Sequence, residues 1–187
     1  MFARRGELLA APALMLAVFG KPSAFSIAAG LPFAFAGEAI RAWAVGYSGV
    51  TTRGDTVMAP ALVTAGPYAY VRNPLYIGNF VTAFGFAIAF TGANGAAART
   101  ALVAGALGTM LGVYSVVVPH EERFLRDTFG AAFDEYVAAV PRVVPRTAPA
   151  GSEAGTYDPS VIGSAESRTF LTFGAMLLAL AFKARNK

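Results

Sequence analysis

The sequence predicts an all-α integral membrane protein, a helical bundle with four to five membrane spans. Hydrophobic residues make up 56% of its 187 residues and charged residues only 14%, whereas about a quarter of the residues of a soluble domain are charged. The mean hydropathy is +0.54, and several apolar runs approach the roughly 20 residues that a helix needs to cross a bilayer. A surface with so few charges must face something other than water.

Five apolar segments supply the candidate helices, at residues 8–19, 23–45, 75–91, 97–118 and 169–182. The first follows Arg4 and Arg5 and contains Pro12, and its charged start and short apolar run also resemble a signal peptide. The last segment is apolar on every face but short for a membrane span. If it crosses the membrane, the Lys183 side chain must extend to the interface.

The distribution of basic residues predicts an orientation. The polar regions at residues 46–74 and 120–167 carry Arg53, Arg72, Arg123, Arg126, Arg142 and Arg146, whereas the opposite loops carry only Lys21 and Arg99. By the positive-inside rule, the N-terminus and both polar regions face the cytoplasm. A fifth span would place the basic C-terminal end on the opposite side, so the last segment either spans against the rule or does not cross fully.

The composition also excludes several kinds of site. The chain has no cysteine, which excludes disulfides, thiolate nucleophiles and cysteine-based metal sites. His120 is its one histidine and the acidic residues are scattered, so no metal site is predicted. The net charge of +4 suits cytoplasmic anchoring at a membrane better than nucleic-acid binding.

The second polar region predicts an amphipathic helix, or a pair of helices broken at Gly130, followed by a linker. The apolar positions of HEERFLRDTFGAAFDEYVAAV recur at helical spacing. The stretch TAPAGSEAGTYDPS is rich in Ala, Gly, Ser and Pro, which predicts an exposed linker without a core. We therefore divide the chain into a membrane domain (1–147), an exposed linker (148–167) and a C-terminal apolar helix (168–187).

Two charged residues, Glu38 and Arg41, lie within the second apolar segment. Three residues apart on a helix, they share one face. Pairing lowers the cost of about 2.5–3.5 kcal/mol that insertion scales assign to a lone charge in a bilayer. They form either a structural ion pair near the cytoplasmic end of the helix or a group that faces an internal cavity.

The stretch TAGPYAYVRNPLYIGN, residues 64–79, combines several polar functions just before an apolar helix. Gly66-Pro67 predicts a turn, and Asn73-Pro74 predicts a helix start. The first amides of that helix, together with Arg72, suit an anionic group such as a carboxylate. The aromatic rings of Tyr68, Tyr70 and Tyr76 suit a flat base or a cation. An interfacial loop without a ligand is the alternative on these residues alone.

GPYAYVRNPLYIG and the later EERFLRDTFGAAFDEYVAAVPRVVP, together with GEAIRAWAVGY before them, resemble the isoprenylcysteine carboxyl methyltransferase and phospholipid methyltransferase superfamily over residues 37–145. The resemblance implies an integral membrane enzyme with a cytoplasmic active site that uses S-adenosylmethionine. It implies Arg72 and Glu121 as catalytic residues. It implies a cofactor site formed by Gly66, Tyr68, Arg72, Asn73, Pro74, Tyr76, Gly78, His120 and Glu121.

The sequence departs from the superfamily pattern at positions that bear on the substrate. Asn73 stands where the pattern has histidine, and no histidine stands ahead of Leu62. Residues 116–118 are valines where an arginine is expected in the prenylcysteine branch. The expected acceptor is a lipophilic small molecule or lipid, with an isoprenylcysteine-like carboxyl or a lipid amine. The alternatives are a membrane NAD(P)H-dependent reductase of related helical layout and a catalytically degenerate scaffold, and the sequence indicates no oligomeric state.

Overall fold

The computed structural model describes residues 5–49, 60–150 and 154–186. Within them the helices are α1 (Arg5–Phe19), α2 (Ala24–Ser48), α3 (Pro74–Thr91), α4 (Ala96–Phe129), α5 (Ala131–Ala139), α6 (Ile162–Ala165) and α7 (Ser167–Arg185). Short 3₁₀ turns occupy Gly66–Ala69 and Pro159–Val161. The described residues contain no strand, and the predicted all-α class is confirmed. Arg4 and Arg53, used above for the orientation, lie outside the described residues.

The helix boundaries follow local signals in the sequence. Helix α3 begins at Pro74, as Asn73-Pro74 predicts. Helix α4 is longer than expected, because it continues through Pro119 to Phe129 and so joins the apolar run and the amphipathic stretch in one element. It ends at Gly130, whose φ of +54° glycine adopts without the steric cost of a Cβ, and α5 follows directly. The predicted break at Gly130 is thereby confirmed.

By contacts, the chain divides into two compact units. One comprises Met1–Glu38, Asn79–Ser115 and Arg168–Lys187, and the other comprises Ala39–Gly78 and Val116–Ser167. We call them the first and second units. The predicted division into a membrane domain (1–147), a linker (148–167) and a C-terminal helix (168–187) stays a prediction.

In the first unit, small residues bring the backbones of α2 and α3 together. A Cβ on Gly30 would lie 2.4 Å from the Gly85 carbonyl oxygen, and one on Gly85 would lie 2.3 Å from the Ala34 nitrogen. The Ser26 hydroxyl donates a hydrogen bond to the Ala89 carbonyl across the same contact, at 2.9 Å. Close approach at small residues with a polar link is the usual way in which helices associate within membranes.

Helix α7 belongs to the same unit. Phe173, Met176 and Leu180 are buried in its core. The Lys183 ammonium donates to the carbonyl oxygens of Val18 and Gly20, each at 2.9 Å. A cation at the C-terminal end of α1 satisfies carbonyls that the helix leaves unpaired and interacts favourably with its dipole.

Among the described helices, α3, α4 and α7 are long and apolar enough to cross a membrane. Helix α1 has a shorter apolar stretch, Ala10–Phe19. Helix α2, which the sequence predicts as a span, has 25 residues but is not among the three. On α7, the side chains of Leu171, Leu178 and Phe182 are largely exposed, as suits contact with lipid. These features support an integral membrane protein, while the number of spans and their orientation stay predictions.

Candidate active site

The 64–79 stretch folds as a tight turn that leads into α3. Gly66 opens a 3₁₀ turn with φ of +59°, and a Cβ at this position would lie 2.2 Å from the Tyr47 ring. Both observations require glycine, because a positive φ is unfavourable for other residues and the ring fills the space. The turn predicted at Gly66-Pro67 is present. Pro74 and Gly78 are buried at the start of α3, and Tyr76 is partly buried.

Arg72 is held by protein oxygens on two other elements. Its Nε donates to Glu122 Oε1 of α4 at 3.1 Å, and its Nη1 donates to the carbonyl oxygens of Val137 and Val140 at 3.2 and 2.5 Å. The side chain is 9% exposed. Each bidentate edge of a guanidinium includes Nε or Nη1, so neither edge is open for a ligand carboxylate in this arrangement. The structure therefore gives Arg72 different partners from the ligand that the sequence suggests.

Glu122 is the centre of this network, and sequence reasoning missed it in favour of its neighbour. It accepts hydrogen bonds from Arg72, from Asn73 Nδ2 at 3.3 Å, and from Arg142 Nε and Nη2 at 3.0 and 2.5 Å. The hydrogen bond from Arg142 to Glu122 raises the pKa of Arg142. Successive helical residues point about 100° apart, so Glu121 and Glu122 cannot both face Arg72. The choice depends on the rotation of α4, which the motif does not specify.

Glu121 acts instead on Tyr68. Burial raises the pKa of Tyr68 to about 12, a hydrogen bond with Ser48 opposes this rise, and the Glu121 charge adds to it. Glu121 is partly buried. Tyr68 and Glu121 belong to the same unit, and their roles in the predicted site stay predictions. His120 is exposed and lines an open groove of about 300 Å³ with Arg123, Phe124 and Asp127.

Helix α5 supports the turn from a second side. The Tyr136 hydroxyl donates to the Tyr68 carbonyl oxygen at 2.8 Å. Tyr136 is buried in a cluster with Phe133, Val140 and Ala150, and burial raises the pKa of its hydroxyl. The amphipathic face predicted for this region therefore packs in the same unit as the loop and fixes the backbone at Tyr68.

The predicted linker also contributes to the site. We call residues 141–150 and 154–158 the strap. Its backbone amides at Arg146, Ala150 and Asp158 donate to the carbonyl oxygens of Tyr70, Ala69 and Gly46, at 3.0, 2.9 and 2.7 Å. The Ala154 carbonyl accepts from the amide of Thr64 at 2.8 Å.

The burial of the predicted linker is mixed rather than uniform. Residues 155–160 are exposed, as predicted, but Ala150, Ala165 and Glu166 are buried. The small residues that predict an exposed linker also let its backbone lie close against the loop.

Arg41 forms a buried ion pair with Glu166. The Arg41 Nη2 and Glu166 Oε2 atoms are 2.6 Å apart, and the side chains are 7% and 0% exposed. The sequence suggested Glu38 as the partner, because it lies on the same helix. Glu166 is distant in sequence and lies just before α7, so local spacing does not reveal it.

The site residues now divide into two sets. Arg72 and Asn73 join Glu122 and hold the loop, whereas Glu121 affects Tyr68 through its charge. No group of histidine and acidic residues in the described ranges has a metal-binding arrangement.

Comparison with known proteins agrees with the resemblance stated above. A family model described as phospholipid methyltransferase matches residues 25–132, which include α3, the loop before it and both glutamates of α4. No curated protein and no solved structure gives a match. Because the family model covers more than half of the sequence, the chain belongs to the phospholipid methyltransferase family, a family of membrane enzymes that act on lipid-like substrates.

Proposed function

We propose that this protein transfers a methyl group from S-adenosylmethionine to a lipid or lipophilic acceptor in the membrane. Membership of the family supports methyl transfer. The observation that supports the choice of cofactor is the turn that holds the partly buried Tyr68 before α3, in the unit that also contains Glu121. An aromatic face and a carboxylate both stabilise a cation, and they suit a sulfonium.

The residues around Tyr68 fit the other parts of the cofactor. The first amides of α3, after Asn73 and Pro74, suit its carboxylate, and Tyr76 offers a second ring for adenine. Gly66 gives the turn before Tyr68 its positive φ. When bound, the cofactor supplies a methyl group on a positively charged sulfur, already activated for attack by a nucleophile. We assign Arg72 a positioning role, since its donors are engaged by Glu122 and by α5.

The chain then has three tasks: to hold the acceptor in line with the methyl group, to exclude water, and to remove a proton where the acceptor is an amine. We assign the acceptance of that proton to Glu121. His120, which is exposed, suits its transfer to water. A carboxylate acceptor would need a cation instead of a base, and Arg41 is already paired with Glu166. We therefore favour an amine-bearing or neutral lipid.

The contacts of the arginines argue against a nicotinamide-dependent reductase. Such a cofactor carries several phosphates, which require basic side chains with open donors. Arg72 and Arg142 both bind Glu122, so this pair is not a phosphate cluster.

Equilibrium binding of labelled S-adenosylmethionine to the purified protein tests the proposal, followed by methyl transfer into a total lipid extract with the product identified by mass. We expect Glu121→Gln to abolish turnover. Glu135→Gln, the same change at an exposed position of α5, should leave it unchanged. Binding of a nicotinamide dinucleotide in place of S-adenosylmethionine would indicate the reductase, and binding of neither would indicate a scaffold.

We also propose that the loop and strap face the cytoplasm, from the arginine distribution. Because the chain has no cysteine, single cysteines can be introduced cleanly. A membrane-impermeant thiol reagent applied to intact cells should spare Ser160→Cys and label Ala97→Cys, both at exposed positions. The reverse pattern would overturn the orientation.

A further inference from the structure

Two neighbouring valines of the strap are exposed outside any helix. Val143 and Val144 are 62% and 76% exposed, in a stretch without helical structure. The exposed apolar side chains of α7 belong to a helix that is long enough to span a membrane, but the valine pair does not. Pro141 and Pro145 flank the pair and restrict the backbone on both sides. The membrane-spanning helices therefore do not account for these two apolar side chains.

The valine pair adjoins aromatic rings of the candidate site. The amide of Arg146 donates to the Tyr70 carbonyl oxygen at 3.0 Å. The Tyr70 ring centroid lies 6.3 Å from that of Trp43, near the C-terminal end of α2, and Trp43 is 44% exposed. All these residues belong to the second unit. We call Trp43, Tyr70, Val143, Val144 and Arg146 the valine–aromatic patch.

The patch also carries a positive charge. Arg146 is exposed and donates from Nη1 to the Ala139 carbonyl oxygen, and no carboxylate of the described residues pairs with it. Tryptophan and tyrosine rings favour the boundary between hydrocarbon and water. An arginine without a carboxylate partner favours anionic headgroups. The combined chemistry of the patch matches an anionic lipid surface.

We propose that the valine–aromatic patch binds the surface of the bilayer, with the valine pair inserted between headgroups and acyl chains and Arg146 among anionic headgroups. The backbone there lacks helical hydrogen bonds, so it cannot enter the hydrocarbon core and the insertion is shallow. Because the strap is hydrogen-bonded to the 64–73 loop, this contact holds the loop beside the headgroups. It depends on neither cofactor nor acceptor and so goes beyond the proposed function.

Fluorescence quenching of the full-length protein in lipid nanodiscs measures this contact. An environment-sensitive fluorophore is attached to Val144→Cys, and Ser160→Cys, at an exposed polar position of the same unit, is the control. We expect lipids with a nitroxide near the headgroup to quench the label at position 144, and lipids with a nitroxide deep in the acyl chain to quench it less. Neither should quench the label at position 160. The native Trp43 should show the same order of quenching as position 144.

The charge of the lipid provides a second measurement. Quenching at position 144 should be stronger in phosphatidylglycerol than in phosphatidylcholine. In phosphatidylglycerol, Arg146→Gln should lower the ratio of inserted to free valine pair about fivefold, the factor for one arginine at an anionic surface. It should have no effect in phosphatidylcholine. Arg126→Gln is the control, because Arg126 is exposed but already paired with Asp134, and it should change neither ratio.

Replacing both valines, by Val143→Asp with Val144→Asp, should remove the lipid quenching of Trp43 and leave the denaturation midpoint unchanged, since both positions are exposed. If that variant does not fold, Val143→Ser with Val144→Ser should weaken the quenching. A label at position 144 that aqueous iodide quenches and lipid nitroxides do not would show that the pair faces water. Protection from both quenchers would show that protein covers it. Either result, or an Arg146→Gln protein that behaves as the wild type in phosphatidylglycerol, would overturn the proposal.

Discussion

Replacing Glu122 with alanine should destabilise the second unit, whereas replacing the exposed Glu135 of α5 should not. Glu122 is 7% exposed and accepts hydrogen bonds from Arg72, Asn73 and Arg142. The Glu122→Ala change removes the carboxylate that joins α4, the loop before α3 and the strap. Arg72, at 9% exposed, would keep its charge in a buried place without a counter-ion.

The expected magnitude follows from the burial of each partner. Loss of one member of a buried ion pair costs about 3–5 kcal/mol. Arg72 retains its hydrogen bonds to the carbonyls of Val137 and Val140, which places the cost near the lower limit. The Arg142 side chain is 49% exposed, so water can replace its contact and about 0–1 kcal/mol is lost there. We expect a total of about 3 kcal/mol, and a smaller loss for Glu122→Gln, which keeps an acceptor oxygen.

The chain supplies its own probe for this measurement. Its one tryptophan, Trp43, lies in the second unit with its ring centroid 6.3 Å from that of Tyr70. Denaturant titration in detergent micelles, followed by Trp43 fluorescence, should show the lowered midpoint for Glu122→Ala. Glu135→Gln, at an exposed position of α5, is the control and should keep the wild-type midpoint. A Glu122→Ala protein within about 0.5 kcal/mol of the wild type would refute the assignment of Glu122 as the structural centre.

Three further predictions concern single residues, two in the second unit and one in the first. Gly66→Ala should lower the free energy of unfolding by about 1–3 kcal/mol, because the residue has a positive φ and faces the Tyr47 ring. Gly95→Ala, with open space around it, should leave the midpoint of the same titration unchanged. The pKa of Tyr68 is raised to about 12, so its contribution to stability is complete below pH 10 and is lost as the pH rises through 12. Ultraviolet titration should show one tyrosine that ionises at higher pH than the others, and Tyr68→Phe should remove it. Gly85→Leu should separate α2 from α3 and lower the midpoint, while Gly112→Leu, on an open face of α4, should not; equal midpoints would contradict the contact.

The sequence predicts those features of the fold that depend on local chemistry. The start of α3 follows from Asn73-Pro74, and the break after α4 follows from Gly130, because caps and positive-φ glycines act over a few residues. The continuation of α4 through Pro119 was not expected, since proline removes a hydrogen bond of the helix interior. The rest of the helix keeps its backbone bonds despite that loss.

The parts of the site that sequence reasoning missed depend on contacts between distant segments. The strap binds the loop through backbone groups, which every residue carries, so its composition gives no sign of them. Glu166 reaches Arg41 from 125 positions away, a partner that helical spacing cannot suggest. Local patterns thus predict the elements and the chemistry of the loop, but not which carboxylate neutralises which arginine.

The contacts of Asn73 explain how this chain can differ from the superfamily pattern at that position. Asn73 Nδ2 donates to Glu122 at 3.3 Å and to the Arg142 carbonyl oxygen at 3.2 Å. These bonds require a donor beside the buried carboxylate, and an amide supplies two N–H groups without titrating near neutral pH. A histidine there would supply such donors most fully when protonated. Asparagine therefore preserves the link between the loop and α4 across the physiological pH range.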